Sequence, residues 1–112
     1  MNGVRKRSRE RMAIYYLYAD GQLWPFYVGI TNNPERRLKE HRASASSQLY
    51  EAGKRIADIG AENVRMEVVA WADGRFNARL IERALIGELV AQRIELANME
   101  DTEAGYLPPP LT

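Results

Sequence analysis

A chain of 112 residues, 46% apolar and 28% charged, leaves room for one compact core and no second domain of ordinary size. Zero cysteines and a single histidine, His41, exclude a disulfide scaffold, a thiolate zinc site, a cysteine nucleophile and a multi-histidine metal cage. The net charge is +1 and no run approaches the ~20 apolar residues that span a bilayer, so a soluble, cytoplasmic protein is expected.

Residues 1–11 lack apolar periodicity and are expected to form a flexible arm carrying Arg5, Lys6, Arg7, Arg9 and Arg11. Two apolar runs, residues 12–17 and 23–30, flank Asp20-Gly21 and predict a β-hairpin, with Pro25 demanding an edge position or a bulge. Asn33 as N-cap and Pro34 at the first helical position then start a helix reaching about Ala43. After the serine-rich residues 44–47 a second helix is expected over residues 48–58, closed by Gly60. Val64, Met66, Val68 and Ala70 alternate with Arg65 and Glu67, the pattern of a strand with one face in the core. Asp73-Gly74 turns the chain, and Asn77 is expected to cap a long helix to about Glu95 with the apolar stripe Ile81, Ala84, Leu85 and Leu89. At 100° per residue Glu82 falls about 20° beyond the edge of that stripe, where a ligand reaching into a cleft is expected, while Glu88 is a rival nearer its centre. Residues 100–112 are an acidic, proline-rich tail in which residues 108–110 are expected to adopt polyproline II. The expected fold is a small α/β sandwich in which helices flank a central three-stranded, mainly antiparallel sheet, in the order β-β-α-α-β-α over residues 12–99.

Charge is unevenly divided: residues 1–50 carry nine Lys/Arg against four Asp/Glu, and residues 51–112 seven against eleven. A polyanion-binding face opposite an acidic side fits such a split. The chemistry is densest in residues 27–41. Tyr27 ends a strand, and Gly29 lets a ligand backbone approach where a side chain would block it. Arg37 and His41, four residues apart, share one helix face. A phenol, a guanidinium and an imidazole thereby offer a proton acceptor, a phosphate clamp and a second proton carrier. Arg36, Lys39 and Arg42 surround them as further phosphate contacts.

This segment resembles the GIY-YIG nucleases, in particular their small stand-alone bacterial or phage-type members. Tyr27-Val28-Gly29 matches the second half of the family motif, Arg37 the arginine ten residues on, and His41 the histidine or tyrosine four residues further. Ala13-Ile14-Tyr15 matches the first half with alanine in place of glycine. Tyr15 to Tyr27 is twelve residues, slightly longer than usual, which leaves Tyr16 as the other candidate for the first motif tyrosine. Ile30 stands where some members carry lysine. Glu82 with Ile86 matches the metal-binding glutamate and the aliphatic residue after it, and Asn98 the asparagine that closes the domain, within nucleic-acid reach.

The resemblance implies a magnesium-dependent endonuclease, with manganese as a substitute, that hydrolyses DNA phosphodiester bonds. Glu82 would hold the cation together with water and phosphate oxygens, as one carboxylate suffices for magnesium. Tyr27, with Tyr15 as partner, would accept the proton of the attacking water, Arg37 would stabilise developing charge, and His41 would orient the nucleophile or relay its proton. Base duty stays open between Tyr15, Tyr27 and His41. The alternative is a non-catalytic nucleic-acid-binding module on the same fold, and a third reading is a protein-interaction module built on arm and tail. Without an attached targeting domain, the chain is expected to recognise branched or otherwise structured DNA, or to take specificity from a protein partner.

Overall fold

Strands β1 (Arg11–Ala19), β2 (Tyr27–Thr31) and β3 (Val64–Asp73) form one antiparallel sheet in the order β2-β1-β3, in this computed structural model, which describes residues 10–47 and 50–100. Residues 1–9, Gln48, Leu49 and the tail beyond residue 100 lie outside that description; Arg11, expected in the arm, opens β1 instead. Helices α1 (Pro34–Ala43), α2 (Glu51–Ile59), α3 (Arg75–Ala91) and α4 (Ala97–Glu100) complete the chain. The element order and the antiparallel three-stranded sheet are those expected from the sequence. Among the described residues no helix is long and apolar enough to cross a membrane.

β1 is central and buried from Met12 to Tyr15, which its Met-Ala-Ile-Tyr run allows. Its ladder with β2 pairs Ala13 with Thr31, Tyr15 with Gly29 and Leu17 with Tyr27. Pro25 precedes β2, so its missing donor removes no ladder bond. The ladder with β3 shifts register between Ile14 and Tyr15: Ile14 faces Ala70 while Tyr15 faces Val68. This irregularity corrects the reading of β3. Its alternating residues do not share one buried face. Val64, Met66 and Val68 pack with Tyr15, Leu17 and Ile56, whereas Ala70 and Ala72 pack with Met12, Ile14 and Ile86 on the other side. One extra residue in β3 reverses the sense of its alternation relative to β1.

α1 starts as its sequence dictates. The Asn33 side chain accepts from the Arg36 backbone N–H at 3.1 Å, and Thr31 Oγ1 accepts from the Asn33 N–H at 3.0 Å. α2 ends at Gly60, whose φ of 97° needs a glycine. α3 begins one turn earlier than expected: Gly74 is its cap residue, and Asn77 sits inside the first turn with its side-chain amide donating to the Asp73 carbonyl at 2.8 Å. It also stops sooner, because the chain turns at Gln92-Arg93 and returns Leu96 and Ala97 to the core, where the Ala97 N–H donates to the Phe26 carbonyl at 2.8 Å.

Candidate active site

A cleft of about 320 Å³ opens where β2 meets the start of α1 and the first turns of α3. Tyr27, Gly29 and Thr31 bring the strand to it, Arg36 and Arg37 come from α1, and Arg75, Arg79 and Glu82 from α3; Tyr15 closes its floor. The short turn at Thr31 to Asn33 makes this possible, because it fixes the first turn of α1 immediately beyond β2. Arg37 is steadied by Glu40, to whose Oε1 its Nη1 donates at 2.9 Å.

Tyr15 is buried and hydrogen-bonded to His41 Nε2 at 2.7 Å. Its ring lies across Gly29, so the missing side chain there accommodates Tyr15 rather than a ligand backbone: a Cβ at residue 29 would stand 2.5 Å from Tyr15 Cζ. Burial, with the neighbouring Tyr27, pushes the Tyr15 phenol well above its ordinary pKa against the pull of Arg37. Burial, with Arg37, pulls the imidazole of His41 down to about 3, which keeps it neutral at physiological pH. The Tyr27 and His41 rings meet edge to face, centroids 5.0 Å apart. His41 itself lines a neighbouring hollow of about 200 Å³, and Tyr27 and Arg37 form the wall between the two.

Glu82 is 6% exposed, inside the buried face of α3 with Ala78, Ile86 and Leu89 and not at its border. Ala84, expected in the stripe, is exposed, and so is the rival Glu88. Burial raises the pKa of Glu82, opposed by Arg79, whose Nη1 lies 3.3 Å from Glu82 Oε1, and by Arg83. The fold thus gathers Tyr15, Tyr27, Arg37 and Glu82 at one opening with Arg36 at its rim. Residues 12–95 match the model of the GIY-YIG catalytic domain. The chain belongs to the GIY-YIG family.

A GIY-YIG domain is a nuclease domain, which makes DNA the implied substrate. No curated protein and no solved structure matches the chain significantly. Among the described residues there is no cluster of three His, Cys, Asp or Glu; Glu82 is the one carboxylate on the wall of the polar cleft, and a hard divalent cation held by it would take its other ligands from water and phosphate oxygens.

Three expected nucleic-acid contacts are placed otherwise in this GIY-YIG chain. Asn98 is buried and both ends of its amide serve Val28: Oδ1 accepts from the Val28 N–H at 2.9 Å and Nδ2 donates to the Val28 carbonyl at 2.7 Å. It continues the ladder at the edge of β2. Arg42 donates to the Val64 carbonyl at 2.7 Å, and its Nε is buried without a partner among the described residues. Lys39 is exposed on α1 and does not line the cleft. Conversely, Arg75 and Arg79 were not among the expected phosphate contacts. Their signal was their spacing: two turns and one turn before Glu82, they project from the same side of α3.

Proposed function

We propose that this chain is a cytoplasmic, divalent-cation-dependent endonuclease that hydrolyses DNA phosphodiester bonds in this cleft. The observation that carries the reading is the convergence of a buried carboxylate, Glu82, with Tyr27, Arg37 and three further arginines on one polar opening. Magnesium or manganese, held by Glu82, would supply charge neutralisation at the phosphate.

The remaining work falls to the side chains. Arg36 and Arg37 bind non-bridging phosphate oxygens, and Arg37, pinned on Glu40, is aimed to do so without losing further side-chain freedom. Tyr27 takes the proton of the attacking water at its phenol oxygen, because it lines the cleft and the other phenol there, Tyr15, is buried and shifted away from ionisation. His41 acts from behind: neutral and bonded to Tyr15, it holds the edge of Tyr27 and fixes its direction. An ordinary phenol is a poor base at neutral pH, so the nearby guanidinium of Arg37 and the cation are needed to favour its ionised form. Specificity comes from the shape of branched or otherwise structured DNA, or from a protein partner.

The test is a panel of plasmid, single-stranded and branched DNA, with magnesium, manganese or EDTA, on wild type and Glu82→Gln. Cleavage by wild type with either metal, lost in EDTA and in the variant, supports the reading. Binding without cleavage of any substrate would make the chain a nucleic-acid-binding module.

A further inference from the structure

We propose that Arg79 occupies the cation's place at Glu82 in the metal-free protein and passes to a substrate phosphate once the cation binds. This rests on the reading of Glu82 as the cation's ligand. The two groups are three residues apart on α3, with Arg79 Nη1 3.3 Å from Glu82 Oε1, and both line the cleft. Their mobilities are unequal: the Glu82 side chain is 7% exposed and fixed by packing, whereas Arg79 is 55% exposed on a long stem that can swing. A buried carboxylate needs a positive neighbour, and Arg79 supplies one. A divalent cation offers the same oxygens more charge, so cation and guanidinium compete for them. The released guanidinium then lies in the cleft that receives the phosphate, whose two oxygens match its planar fork.

Arg79 is therefore a substrate-binding residue whose removal has opposite effects on two ligands. Mn²⁺ binding to DNA-free protein, followed by electron paramagnetic resonance, is expected to tighten about threefold or more in Arg79→Gln, since an ion pair no longer competes. DNA binding measured by anisotropy with Ca²⁺ present is expected to weaken about tenfold in the same variant. Arg75→Gln, one turn earlier in the same cleft, should weaken DNA binding while changing Mn²⁺ affinity less than about twofold, and Arg79→Lys should restore most of the Mn²⁺ competition. Unchanged or weaker Mn²⁺ binding in Arg79→Gln would overturn the proposal, as would tighter Mn²⁺ binding with DNA affinity intact. Loss of Mn²⁺ binding in Glu82→Gln checks the underlying site separately, so a wild type that binds Mn²⁺ but cuts nothing refutes the enzyme and still scores the handover.

Discussion

The hydroxyl of Tyr15 fills the space that a side chain at Gly29 would need, and from there it reaches His41 Nε2 at 2.7 Å. Register sets up the arrangement, because Tyr15 and Gly29 are direct partners across β1 and β2. Gly29→Ala should therefore destabilise the fold by about 1–3 kcal/mol through overpacking and break the Tyr15–His41 bond. Urea unfolding checks this, and the double variant Tyr15→Ala with Gly29→Ala should cost less than the sum of the two single changes.

His41 makes stability depend on pH. Its folded pKa of about 3 lies below the ordinary imidazole value of 6.5, so the unfolded chain binds the proton more readily in between. Stability is full above about pH 6.5 and falls as pH drops toward 3, by up to about 1.4 kcal/mol per pH unit from this group. Urea midpoints of wild type and His41→Gln should diverge in that window, with the variant less sensitive. As the chain has a single histidine, its imidazole NMR signal should show the neutral form at pH 5.

Glu82→Gln should separate activity from stability. Burial raises the carboxyl pKa in the folded state, so the ionised form is disfavoured there, and the stability linked to this group is present at low pH and lost as pH rises. At pH 7 the glutamine variant should melt at the same temperature as wild type or higher. Cleavage should fall about a hundredfold or more, read as initial rate on the preferred substrate.

Asn98→Ala should act on the fold and not on DNA. Val28 is fully buried, and the substitution leaves both its N–H and its carbonyl without the partner they have in Asn98. A loss of about 2–4 kcal/mol in urea unfolding is expected. DNA affinity, measured where the variant is still folded, should match wild type.

The arginines of the cleft should be separable from those outside it by salt. Arg36→Gln and Arg75→Gln are each expected to lower the slope of log affinity against log salt by about 1. Arg42→Gln should leave the slope unchanged, because its guanidinium is held on the Val64 carbonyl.

The local elements were legible because local rules produce them. Asn33-Pro34 started α1, Gly60 ended α2, and Asp20-Gly21 turned the first hairpin, each through backbone chemistry contained in a few residues. The motif spacing from Tyr27 to His41 likewise carried the family. The irregularity between Ile14 and Tyr15 had no such mark, since the alternation of Val64, Met66, Val68 and Ala70 is unbroken in the sequence and only pairing with β1 divides it between two faces. The division of charge between the chain's two halves also misled: Arg75 and Arg79 come from the acidic half yet stand in the same cleft as Arg36 and Arg37.

By itself, then, the sequence determined the elements, the first hairpin and the residue types of the site, because capping, turns and hydrophobic alternation act within a few residues. Only the tertiary structure decided which groups meet. Tyr15 answers to Gly29 and His41, Asn98 to Val28, and Glu82 to Arg79 inside a buried face. The first two depend on contacts between segments distant in the chain, and the third on which side of α3 the sheet covers, which periodicity within the helix cannot specify.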